Sequence, residues 1–143
     1  MKLTKVMAID PGKTTGVAKY DLLTRTKDAE QFTDTALLLK ALQAYQPDVV
    51  VMETFRPRPD KALAICGQDV YASEVIGAVK AFCESSAITV VMQQPAVKNT
   101  VRQKLLEYCG LWRITKSLPH ARDAIKHLVA YVISIDPRHF TSK

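Results

Sequence analysis

Three carboxylates and two histidines stand where they could do chemistry. Asp10 ends the apolar run VMAI, Glu53 ends the run VVVM, and Asp123 lies between His120 and His127 in HARDAIKH. In an alternating strand Val6, Ala8 and Asp10 share one face, as do Val49, Val51 and Glu53. If these strands are parallel neighbours, both acids emerge at the same end of the sheet, a common location for sites in α/β folds. Two carboxylates there repel unless a cation sits between them. A divalent metal is the natural answer, since Mg²⁺ prefers carboxylate oxygens together with water and phosphate. On a helix that turns about 100° per residue, Ala121, Ala124, Ile125, Leu128 and Val132 form the core stripe. His120, Asp123 and His127 then follow one edge of that stripe and face a cleft beside the sheet. The small residues Ala121 and Ala124 let the helix come close to the strands. Each acid has a bland reading alone: a turn residue before Pro-Gly, a solvated strand end, or a partner of a helix dipole. All three in these positions of one pattern favour a site.

The letters GKT after Asp10 suggest a phosphate-binding loop, and the spacing rejects it. Such a loop needs GxxxxGK[ST] between a strand and a helix. Here the first glycine would fall on Met7, and the residues after Thr14, TGVAKY, read as a strand. Gly12 and Gly16 are expected to serve a tight turn where backbone can approach a phosphate.

The elements that must carry these residues follow from pattern. Residues 5–10 read as a buried strand stopped by Pro-Gly. Residues 15–20 supply its hairpin partner, and residues 24–32 a polar, edge-like third strand. TDTALLLKALQAY reads as a helix capped by Thr33 or Asp34 and stopped by Pro47. DVVVME is a second buried strand, and its continuous apolar run fits a parallel strand covered on both faces. Residues 56–68 read as a basic, proline-containing loop. Residues 70–83 read as a helix with a wide apolar face built on Val70, Val75, Val79 and Phe82, with Ala72, Ala78 and Ala81 beside them. ITVVM is a third short buried strand, residues 95–110 a helix from Pro95 to a Gly110 stop, and HARDAIKHLVAYVISI the last helix. The order β-β-β-α-β-α-β-α-α predicts an α/β domain with a mixed five-stranded sheet and helices on both faces.

The 143 residues predict one domain spanning 1–143, and 48% hydrophobic content supports a real core. No apolar run approaches a membrane span, and Met1 lies so near the first strand that no leader is expected. Cys66, Cys83 and Cys109 form no CxxC pair and read as reduced core thiols of a cytoplasmic protein. The net charge of +6 is compatible with a polyanionic partner. The surplus is concentrated late: residues 93–127 hold seven basic side chains (Lys98, Arg102, Lys104, Arg113, Lys116, Arg122, Lys126) against Glu107 and Asp123. A solvated helix face explains such a surplus equally well.

IDPGKTTGVA, VVVMETF and HARDAIKH, in this order, resemble the RuvC-like Holliday junction resolvases of the RNase H-like superfamily, and the compact phage-type members most of all. PAVKNTVRQKLLEYCG is similar to the family's proline–Val-Lys segment before its last helix. The resemblance spans essentially the whole chain. It implies that Asp10, Glu53, His120 and Asp123 are the catalytic and metal-binding residues; the family carries Asp or His at the position of His120. It implies two Mg²⁺ or Mn²⁺ ions per active site, with Asp10 bridging them, Glu53 and Asp123 completing one site each, and His120 binding metal or steering water. His127 is the runner-up for that role. Lys98 corresponds to a lysine near the DNA phosphates, and Lys104, Lys116, Arg56 and Arg58 are further candidates for phosphate contacts, which position DNA without reading its sequence. Phe55 is the nearest candidate for the family's junction-centre aromatic, with a core role as the alternative. The loop RPRPDK is more basic and proline-rich than the usual family loop.

The implied activity is metal-dependent, structure-selective hydrolysis of four-way and other branched DNA, leaving 5′-phosphate and 3′-hydroxyl ends. Paired incision implies a C₂ homodimer. The apolar face of residues 70–82 is the candidate interface, with intramolecular core as its alternative. No membrane or nucleotide cofactor is implied. The alternatives are a YqgF-type RNA-processing nuclease and a DNA-binding module without catalysis. An actin-like or sugar-kinase ATPase would need two such domains.

Overall fold

The computed structural model describes residues 2–54 and 67–140, with the backbone alone for 67–69. Five strands form one sheet: β1 (Lys5–Asp10), β2 (Thr15–Asp21), β3 (Lys27–Phe32), β4 (Val49–Glu53) and β5 (Thr89–Gln93), in the order β3-β2-β1-β4-β5. The first three are antiparallel neighbours, and β1, β4 and β5 run parallel. This is the mixed sheet expected from the sequence. The valine-rich β4 lies between two parallel neighbours and is almost wholly buried.

Alternation along the strands divides the core in two. Met7, Ile9, Val17, Val50 and Met52 face α1 (Thr35–Tyr45) and α2 (Gly67–Ser85), packing on Leu38, Leu42, Val75 and Val79. Val6, Ala8, Ala18, Val49 and Val51 face the other way. They meet Ala124, Ile125, Leu128 and Val132 of α5 (Pro119–Ile135). The predicted stripe on α5 is buried throughout, and alanines 121 and 124 bring the helix onto the strands.

Local chemistry sets the boundaries. Asp34 caps α1, accepting from the amide of Ala36 at 2.8 Å. The helix ends with Gln46 in a left-handed conformation before Pro47. Asp48 then fastens β4 to β1: one carboxylate oxygen accepts from Thr4 N, Thr4 Oγ1 and Lys5 N, each at 2.9 Å. Among the described residues no helix is long and apolar enough to cross a membrane.

Several sequence-based boundaries move. The third strand starts at Lys27, because residues 21–26 turn back through Arg25 at φ 61°. The second helix starts at Gly67, three residues earlier than expected, and Val70 is exposed while Ala72, Val75 and Val79 enter the core. Residues 95–110 are not one helix. A 3₁₀ segment (Pro95–Thr100) gives way to extended backbone at Val101 and Arg102, followed by α3 (Gln103–Tyr108). The break places Val101 in the core beneath α5. Gly110, at φ 76°, makes the turn into α4 (Leu111–Ile114). Cys83 is buried and Cys109 partly buried, both as free thiols, and Cys66 lies outside the described residues.

Candidate active site

Register brings the carboxylates together. Ile9 pairs with Met52, so the next residues, Asp10 and Glu53, end adjacent strands at one level. Both point toward α5. His120, in its first turn, places Nδ1 3.9 Å from Asp10 Oδ2. Lys98, from the 3₁₀ segment, reaches in from the β5 side. Its Nζ stands 3.6 Å from Glu53 Oε1 and 3.8 Å from Asp123 Oδ2. A single ammonium thus lies between acids from the sheet and from the helix.

One ammonium does not balance three carboxylates. Burial first, then the Glu53 and Asp123 charges, push the Asp10 carboxyl up to about 8, with Lys98 pulling the other way. Burial also opposes ionisation of Glu53, but the hydrogen bond from His127 and the charge of Lys98 hold it below the usual carboxylate range. The proton therefore rests on Asp10 while Glu53 stays charged. Such a site has a standing deficit of positive charge. Among the described residues no group of three or more His, Cys, Asp or Glu is arranged to hold a metal ion as the side chains stand, and Lys98 lies between Glu53 and Asp123. The carboxylate oxygens are donors of the kind a hard cation prefers.

His127, the runner-up to His120 in the sequence, is turned inward. It is fully buried, with Nδ1 2.6 Å from Gln93 Oε1 and Nε2 3.2 Å from Glu53 Oε2. Both ring nitrogens are engaged, so His127 holds Glu53 and has no edge left for metal or water. His120 is half-exposed at the cleft and remains the histidine able to meet a ligand.

Gly16 also has a different reason from the one expected. It sits within β2, opposite Asp10, and a Cβ there would collide with the His120 carbonyl. Its bareness admits the start of α5. Lys104 and Lys116 are exposed and lie outside the carboxylate cluster. Phe55, Arg56 and Arg58 lie outside the described residues. Sequence reasoning missed Gln93 and Gln31. Their signal is register: both are polar residues near the end of edge strands, level with the acids. A groove of about 660 Å³ opens at the opposite end of the parallel strands, lined by Leu42, Pro47, Val49, Phe82 and Tyr131 among others. Its one acid, Asp48, is consumed by Thr4 and Lys5, so the carboxylate cluster is the better candidate.

No protein-family model matches the chain, and no curated protein matches it in sequence. Solved structures do match in shape. The RuvC of T. thermophilus in complex with Holliday junction substrate superposes with TM-score 0.65 at 17% identity, covering 93% of this chain and 96% of that one. Thermus thermophilus RuvC gives 0.66 at 15% identity, covering 94% and 97%. The Fowlpox virus resolvase, in complex with its substrate Holliday junction DNA, gives 0.61 at 20% identity, covering 92% and 99%. The fold is therefore that of RuvC, a mixed five-stranded α/β sheet, over nearly the whole length of both chains.

Proposed function

We propose that the protein is a metal-dependent endodeoxyribonuclease that resolves four-way DNA junctions. The observation that carries this reading is the meeting of Glu53 and Asp123 at the Lys98 ammonium, beside the buried Asp10 at the sheet end, in a fold shared with two junction-bound resolvases. Charge is the test of fit. Burial first, and then the charges of Glu53 and Asp123, disfavour ionisation of Asp10, which a bound cation would relieve, and the oxygen-rich donor set suits Mg²⁺ or Mn²⁺.

Asp10, Glu53 and Asp123 would hold the ions, with His120 beside Asp10. When bound, the ions supply charge stabilisation to both the attacking and the leaving oxygen of a phosphodiester hydrolysis. The protein's own groups do the rest. Lys98, relieved of the carboxylates, offers its ammonium to a phosphate oxygen of the DNA. His120, half-exposed beside Asp10, orients the attacking water. His127 and Gln93 keep the Glu53 carboxylate from rotating. Lys104 and Lys116, both exposed, are offered to further DNA phosphates; Arg56 and Arg58 are candidates for the same role, and Phe55 for the junction-centre aromatic or a core position. The products carry 5′-phosphate and 3′-hydroxyl ends.

Symmetric incision calls for two such sites, hence a homodimer. Val75 and Val79 are used in the core, which leaves the exposed Val70 and Tyr71 of α2 as the apolar contribution to that interface. The experiment is a cleavage panel: a four-way junction, a flap, a plain duplex and an RNA–DNA hybrid, each with Mg²⁺, Mn²⁺ or chelator. Junction cleavage that needs the metal supports the reading; preference for the hybrid, or metal-independent cutting, overturns it.

A further inference from the structure

The start of α5 lacks a cap of its own. Its cap position is Leu118, whose side chain cannot accept a hydrogen bond, and Pro119 has no N–H to satisfy. The Arg122 amide closes the first turn on the Leu118 carbonyl at 2.9 Å. That leaves two donors, the amides of His120 and Ala121. Gln31 supplies the acceptor from another part of the chain: its Oε1 lies 2.9 Å from His120 N and 3.4 Å from Ala121 N.

The register shows what this contact accomplishes. Asp10 pairs with Gly16, and Gly16 pairs with Gln31. The three form one row across β1, β2 and β3, on the face that α5 covers. Asp10 presents its carboxylate, Gly16 leaves room for the His120 carbonyl, and Gln31 grips the amides of His120 and Ala121. We propose that Gln31 is a positioning residue, which with Gly16 docks the first turn of α5 so that His120 and Asp123 stand over Asp10. The role as a determinant of cleavage rests on the nuclease reading above; the docking itself does not. Gln31 touches no reacting group and acts through the helix it holds. A cap drawn from the edge strand ties the helix-borne half of the site to the sheet-borne half, which a cap within residues 115–118 would not do.

Two substitutions separate the acceptor from the bulk of the side chain. Gln31→Met keeps length and removes the acceptor; Gln31→Glu keeps an acceptor at the same reach. The first readout is amide hydrogen exchange in the free protein. Exchange at His120 and Ala121 is expected to rise about tenfold in Gln31→Met and to stay near wild type in Gln31→Glu, with Val129 and β1 unchanged in both. The second is single-turnover cleavage at saturating four-way junction. Gln31→Met is expected to lose about 10- to 100-fold in rate, the range of other supporting contacts around metal sites, with junction affinity within about twofold. Gln31→Glu is expected to recover most of the rate. Unchanged exchange at His120 and Ala121 in Gln31→Met overturns the docking. A rate loss that merely tracks the loss of folded protein, or equal loss in both variants, overturns the positioning role. If the wild-type chain cleaves no junction, the nuclease reading fails, and the exchange measurement still decides whether Gln31 docks α5.

Discussion

Replacing the central carboxylate should stabilise the protein while destroying its activity. With no metal bound, Asp10 holds its proton up to about 8 because burial and the Glu53 and Asp123 charges disfavour ionisation. The unfolded chain releases that proton near the ordinary aspartate value of 3.8. Between those two values the folded state binds more protons than the unfolded state, so stability falls as pH rises, and it levels off above about 8. At pH 7 the interval above 3.8 sets a ceiling of about 4 kcal/mol, at 1.36 kcal/mol per pH unit. Glu53, held below its usual range by the same proton and by His127, returns part of this. A net penalty of about 2 kcal/mol is the expected value. The side-chain amide of the Asp10→Asn variant cannot ionise and escapes the penalty. Urea or thermal unfolding with chelator at pH 5, 7 and 8.5 should show the variant more stable by about 2 kcal/mol at pH 7, roughly 5–10 °C in Tm. The advantage should shrink below about 1 kcal/mol at pH 5. Added Mg²⁺ should raise the wild-type Tm and leave the variant nearly unchanged. A variant less stable than wild type at pH 8.5, or a difference that does not grow with pH, would refute the electrostatic account of the site.

His127→Leu should lose about 1–3 kcal/mol of stability by leaving Gln93 and Glu53 without their buried partner, and at least tenfold in cleavage rate; urea unfolding and single-turnover kinetics check the two. Gly16→Ala forces a Cβ against the His120 carbonyl, and should destabilise by at least about 2 kcal/mol, visible as a lowered denaturation midpoint and loss of helix α5 protection in hydrogen exchange. Asp48→Ala removes the acceptor of three hydrogen bonds, at a loss of about 1–3 kcal/mol. Backbone hydrogen bonds from Lys5 and Thr4 lower the Asp48 value, so its contribution is present above 3.8 and disappears as pH falls through the lowered value; the wild type and Asp48→Ala should converge in stability on acidification.

The sheet was legible because its signals are local. A continuous VVVM run ending in Glu53, and VMAI ending in Asp10, fix buried parallel strands and place both acids at one end. The stripe on α5 was legible for the same reason, since its period of about 3.6 is carried by five apolar residues. What the sequence obscured depends on contacts between distant segments. His127 sits on the same helix edge as His120, and nothing in the spacing tells which of them is sealed; burial against Gln93 and Glu53 decides it. Gly16 reads as a turn glycine beside Pro-Gly, and only the approach of α5 reveals its purpose. Residues 95–110 have helix formers and a Pro–Gly frame, but Val101 is drawn into the core and the backbone extends to let it in.

The most direct test of the central claim is cleavage of an immobile four-way junction in Mg²⁺ by the wild type and by Asp10→Asn, with junction binding measured alongside. The wild type should cut in symmetric pairs, and Asp10→Asn should bind with similar affinity and lose essentially all cutting. Junction cleavage by Asp10→Asn at the wild-type rate, or wild-type cutting that persists in chelator, would contradict the account.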